Sequence, residues 1–259
     1  MTIILRAVLF SACLFLGLLV CLELGRRWGK KRLQRDPEGL RAGTAAVEAA
    51  VFALLGLLIA FTFSGAATRF DVKRDLIVQE ANAIGTAWLR LDVLPAESQP
   101  ALRELFRQYV DSRLATYRKL PDLAAAKAEL DRSLELQTEI WKQSVRAAQS
   151  SPTTAAAVVL LPALNEMIDI VTTRTAAMLY MHPPAAIYGL LFALALLGAL
   201  FAGSAMADSK TRSPLHVVGF AAIMAVSAYL ILDLEFPRFG LIRVDAADQL
   251  LVDVRASFH

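Results

Sequence analysis

Little in this sequence has the spacing that covalent catalysis needs. Its three histidines, His182, His216 and His259, are scattered, and it contains no GxSxG elbow, HExxH pair, Walker loop or dinucleotide fingerprint. The chain therefore reads as a non-enzyme, and no cofactor is expected. Cys13 and Cys21 fall in one apolar stretch, where a thiol behaves as a small apolar group, so neither a disulfide framework nor a metal site is implied. Ions could meet Glu48, Arg69, Glu166 or Asp169. Glu166 and Asp169, with Asn165, share about one helical turn, a spacing that suits a carboxylate site and equally an ordinary solvated helix face. Glu48 lies in the first turns of an apolar stretch, where snorkelling towards the interface accounts for its charge. Asp233 and Glu235, just before Pro237, read as the end marker of an apolar helix.

A second chemistry is the exclusion of water. Leu54, Leu57 and Phe61 are spaced by three and then four residues. A step of three falls roughly 60° short of a full turn and a step of four overshoots by roughly 40°, so the three share one helix face. Rings of such side chains around an axis gate by dewetting; the same pattern also describes ordinary packing against lipid or other helices. Beside them Gly56, Ala60 and Ser64 form a stripe of small residues, suited to close helix approach as a subunit or intrachain contact.

These residues must be held by membrane helices. The chain has 259 residues, 56% of them apolar, with 20% charged and a mean hydropathy of +0.50. That is too apolar for a soluble domain and too charged for bare spans, so the charges must be segregated. Residues 1–24, 44–67, 183–207 and 214–235 are long and apolar enough to cross about 30 Å of hydrocarbon. The expected fold is all-α: four transmembrane helices, with an amphipathic helical bundle at 68–182 inserted between the second and the third, and a C-terminal tail at 236–259. Residues 25–43 read as a basic loop. Proline is missing between Ala45 and Leu94, so the second span should continue as one helix to about residue 94.

Within the bundle, Ile77, Ala81, Ile84, Trp88 and Leu91 keep a helical period, as do Leu102, Phe106, Tyr109 and Tyr117, and Leu123, Leu130, Leu134, Trp141 and Val145. Pro95, Pro100, Pro121, Pro152, Pro162, Pro183 and Pro184 punctuate these segments. Between Arg69 and Arg174 fourteen basic residues cancel fourteen acidic ones, which excludes an electrostatic nucleic-acid binder. Arg26, Arg27, Lys30, Lys31, Arg32, Arg35 and Arg41 make the first connection basic against Asp36 and Glu38, and Lys210 and Arg212 mark the loop before the last span. Positive charge stays inside, which places both connections in the cytoplasm and the bundle and both termini outside. Anionic lipid headgroups are the natural partners of the basic residues at 26–41.

Three runs also resemble a known family: LLGLLIAFTFSGAATRFDVKRDLIVQEANAIGTAWLRLDVLP, ALNEMIDIVTTRTAAM followed by HPP, and LDLEFPRFGLIRV. They resemble the bestrophin-like domain family, bacterial membrane proteins of unknown function that are distantly similar to bestrophin channels. The resemblance implies the bacterial cytoplasmic membrane, a homo-oligomer, most readily a pentamer, and a pore through the second span that passes small ions. Phe70 and Asp71 stand where a bestrophin would have paired tryptophans, and bestrophins carry their large domain in the cytoplasm, opposite to the charge rule. The alternative is a membrane-anchored sensor or scaffold whose helical domain binds a partner protein or ligand.

Overall fold

The computed structural model describes residues 3–35, 44–151, 154–208 and 213–259. Asp36, Glu38, Arg41, Pro152, Lys210 and Arg212 lie outside them. Every regular element among the described residues is helical. Five helices are long and apolar enough to cross a membrane, one more than the sequence expectation: α1 (Ile3–Arg35), α2 (Thr44–Leu89), α5 (Ala155–Leu179), α6 (Ala185–Ala205) and α7 (Pro214–Glu235). Between them lie α3 (Gln99–Arg118) and α4 (Leu123–Ser150), and α8 (Gln249–Ala256) closes the chain. The basic stretch after Gly25 is therefore helix rather than loop as far as Arg35, and its cations sit where they complement the negative end of the α1 dipole.

The chain divides into two compact units, residues 1–69 with 182–236, and residues 70–181 with 237–259. In the first, Leu14, Leu18 and Leu22 of α1 pack with Leu55 of α2, Ala195 and Ala199 of α6 and Ala221 of α7. Three glycines, Gly25, Gly29 and Gly203, let the α1 and α6 backbones touch. A Cβ on Gly25 would stand 1.9 Å from the Leu200 carbonyl oxygen, and one on Gly203 would stand 2.1 Å from that of Leu22. Gly203→Ala should therefore push the helices apart and cost about 1 to 3 kcal/mol, the usual range for overpacking. A Cβ on Gly56 meets nothing within 4 Å. Thermal unfolding in detergent checks the contact: the midpoint should fall for Gly203→Ala and hold for Gly219→Ala, where an added Cβ also meets nothing within 4 Å.

In the second unit an apolar core joins five helices. Trp88 packs edge-on to Phe106 at 6.1 Å and stacks flat on Phe258 at 3.9 Å, so residues beyond 236, read as a tail, belong to this core. Asp122 caps α4 by accepting from the backbone N–H groups of Ala124 and Ala125 at 3.1 and 3.0 Å. Helix α5 passes through Pro162, which the sequence marks as punctuation, because Leu160, Ala163, Leu164 and Met167 are fully buried and hold it in place.

Candidate functional site

The candidate site is built on one face of α2. Leu54, Leu57 and Phe61 are 46%, 51% and 66% exposed, whereas Leu55 and Ala66 across the same helix are buried at 3% and 0%. The fold of the single chain thus leaves these three bulky apolar side chains uncovered. The face does not end there. At alternating steps of three and four, Ser64, Thr68, Asp71, Asp75, Val78 and Asn82 continue it, and every one of these positions is exposed. A strict spacing of 3.5 residues drifts by about 20° per heptad on a straight α-helix, and stays on one line when helices supercoil around a common axis. The seam runs for about 42 Å at 1.5 Å per residue. Its character changes along the way, from bulky apolar to hydroxyl to carboxylate, and then through Val78 to the amide of Asn82. Arg74 lies to one side of it and pairs with Asp71 at 3.5 Å.

The small-residue stripe of Gly56, Ala60 and Ser64 is exposed as well, so the intrachain contact considered for it does not form; the chain uses Gly25 and Gly203 instead. Glu48 is half-buried in the opening turns of α2. Arg69, a candidate for meeting ions, is already engaged: its Nε donates to both Glu235 carboxylate oxygens at 2.9 and 3.1 Å, and Nη2 also reaches Oε1. Asp233 and Glu235 do close α7, as the sequence suggests, and both are buried; Nδ1 of His182 approaches Glu235 at 3.3 Å.

Glu166 and Asp169 do meet the seam. With Asn165 and Thr173 of α5 they face Gln79, Asn82 and Thr86 of α2 across a groove of about 660 Å³. It is an open, polar groove with two carboxylates, suited to hydrated cations or to polar groups of another protein surface. Among the described residues no cluster of three or more His, Cys, Asp or Glu side chains has the arrangement of a metal site.

The sequence reading missed a buried ionic network. Glu80, wholly buried, accepts from Arg113 Nε at 2.6 Å and from Arg174. Arg113 also donates to the Tyr117 hydroxyl at 2.7 Å. Arg238 is held by Asp245 at 3.1 Å and by both oxygens of Asp248, one at 2.8 Å. A signal for it was present: Arg113 falls in the gap between Tyr109 and Tyr117, four residues from each, on the apolar stripe itself.

The family model Bestrophin-like domain matches residues 12–248. No curated protein matches the chain. Among solved structures, a bacterial bestrophin homologue from Klebsiella pneumoniae with an isoleucine-to-threonine change is similar at a TM-score of 0.68 and 16% identity, over 95% of this chain and 99% of that chain. Another structure of the Klebsiella pneumoniae homologue gives 0.66 and 16% over 93% and 98%. A form with a tryptophan-to-alanine change gives 0.62 and 18% over 94% and 97%. At these identities the likeness establishes the fold alone.

Proposed function

Because the chain belongs to the bestrophin-like family, we propose that it is a homo-oligomeric ion channel whose pore is lined by the exposed seam of α2. The observation that carries this reading is the seam itself, nine exposed positions from Leu54 to Asn82 at a spacing of 3.5 residues. Four spans in one chain can bury one another but hardly enclose water, so the seam needs copies around an axis. A pentamer is favoured by resemblance. The stripe of Gly56, Ala60 and Ser64 then serves as a subunit contact. Several Leu54, Leu57 and Phe61 side chains stacked around the axis make an apolar neck, closed or poorly conducting at rest because water there lacks hydrogen-bond partners. Beyond the neck Asp71 and Asp75 line the same path and favour cations. In bilayers with a salt gradient, Asp75→Asn should move the reversal potential away from the cation equilibrium value; an unchanged potential removes Asp75 from the path.

Four of the five apolar helices are the spans: α1, the first half of α2, α6 and α7. In α5 the apolar side faces inward, with Leu160, Leu164 and Met167 fully buried, while Asn165, Glu166 and Asp169 are exposed. That is the arrangement of a helix in water, not in lipid. Residues 68–182 are accordingly an inserted extramembrane domain of a multi-pass protein in the bacterial cytoplasmic membrane. The cations from Arg26 to Arg35 contact anionic headgroups on the cytoplasmic side, which puts that domain outside. A cysteine at the exposed Ala128, with Cys13 and Cys21 replaced, should react with an impermeant thiol reagent added to intact cells. Reaction only after lysis reverses the orientation.

A further inference from the structure

In the first unit, a groove between α1 and α7 changes character from one end to the other. On α1, Leu19 and Leu22 come before Glu23 and Arg26; on α7, Ser213 and His216 come before Val217 and Val218, and together they line a space of about 420 Å³. The two helices run antiparallel, since a second, smaller cavity has Phe10 and Leu14 of α1 on its walls with Ser227 and Ile231 of α7. The opposite orders therefore bring the polar residues of both helices to one end of the groove and the apolar residues to the other. Arg26 is seven residues beyond Leu19, so the change takes place over about 10 Å. Trp28, 51% exposed, follows Arg26 by about half a turn, and an exposed tryptophan at the end of a span marks the depth of the lipid headgroups.

The polar end offers donors and a cation. Glu23, the one carboxylate on the described walls, accepts from Arg27 Nε at 2.9 Å. Arg26 is half-buried, and its guanidinium has no ion-pair or hydrogen-bond partner among the described residues. The Ser213 hydroxyl and Nδ1 of His216 lie 2.5 Å apart. With Nδ1 accepting from that hydroxyl, Nε2 carries the ring proton and donates. A guanidinium beside a second donor is suited to a phosphate group, whose oxygens take paired hydrogen bonds from arginine. Free phosphate would satisfy Arg26 and leave the leucine and valine walls without a partner, whereas a lipid fills both ends. A zwitterionic headgroup brings its own cation next to the phosphate; an anionic one brings net negative charge to Arg26. We propose that this groove is a specific site for one anionic phospholipid of the phosphatidylglycerol type. Its phosphate lies against Arg26 and His216, and an acyl chain runs along Leu19, Leu22, Val217 and Val218. The proposal rests on the reading of α1 and α7 as spans, and not on conduction or on which side of the membrane the basic end faces.

The test uses the purified full-length protein in an uncharged detergent, at an ionic strength of about 150 mM. Short-chain phosphatidylglycerol, phosphatidylcholine with the same chains, and inorganic phosphate are added in turn. With phosphatidylglycerol at ten times its Kd, the unfolding midpoint should rise by about 3 to 6 °C, while the other two leave it near its starting value. Arg26→Gln should weaken phosphatidylglycerol binding about tenfold or more. Lys31→Gln removes the same charge from an exposed position outside the groove and should keep wild-type binding. Val218→Trp fills the apolar end from a position 47% exposed, with no change of charge, and should also lose the rise. Each variant is first checked for the wild-type elution volume. Equal rises with the two lipids would reduce the groove to a seat for any boundary lipid. An equal rise with phosphate would make it an ion site, and an equal loss in Lys31→Gln a diffuse basic surface; each of these overturns the proposal. Carbonate extraction of the protein from vesicles separates this from the span reading. Protein that stays in the membrane yet shows no preference for phosphatidylglycerol loses the site alone, whereas protein that is released loses the spans and the site with them.

Discussion

Replacing Leu54, Leu57 and Phe61 together by alanine should raise unitary conductance about twofold or more and weaken discrimination among ions, while the oligomer and its unfolding midpoint stay close to wild type. Alanine widens each apolar ring and lets water persist between them, which removes the dewetting barrier. Stability should hold because the three side chains are exposed in the folded chain. Had they been core residues, each truncation would cost about 2 to 5 kcal/mol. Current and unfolding are therefore measured on the same triple variant in the same lipid. Lost stability with unchanged current assigns the three residues to packing and removes the neck.

A large loss of stability is expected for Glu80→Gln. The carboxylate sits at 0% exposure between Arg113 and Arg174. Glutamine keeps the shape and removes the charge, leaving two buried guanidinium groups without their counter-charge. Removing one partner of a buried pair costs about 3 to 5 kcal/mol, because the remaining charge stays desolvated. By contrast, Lys127 and Asp131 are 71% and 54% exposed, and Lys127→Gln should stay within about 0.5 kcal/mol of wild type. Chemical unfolding of both variants checks the difference. If Glu80→Gln matches Lys127→Gln, the buried network does not hold the second unit together.

The sequence made some of this legible and hid the rest for identifiable reasons. Apolar runs near 20 residues and the 3.6-residue period depend only on local sequence, so the helical class and the apolar face of α2 could be read directly. The same measure also describes α5, which is apolar along its length yet buries that surface in a polar unit; hydropathy reports composition and not what the residues touch. Gly25 and Gly203 were invisible as a contact because their meaning lies in carbonyl groups more than 170 positions away in the chain. Gly56, Ala60 and Ser64 had the more regular spacing, yet all three are exposed among the described residues. Arg113 was skipped on the assumption that charge belongs outside, although its register placed it inside. Glu235 does end α7, as the sequence suggests, but its burial was not legible because Arg69, its partner, lies 166 residues earlier. The seam from Ser64 to Asn82 was missed because a polar helix face looks like ordinary solvated surface; its uninterrupted exposure is what joins it to the apolar part.

The most direct measurement is single-channel recording from the purified oligomer, first shown by electron microscopy to be a symmetric particle with an axial hole, in planar bilayers under a salt gradient. Discrete unitary currents are predicted, reversing on the cation side of zero, with the triple alanine variant of Leu54, Leu57 and Phe61 conducting more than the wild type. Silence from both proteins, in particles proven intact and symmetric, would contradict a pore along α2.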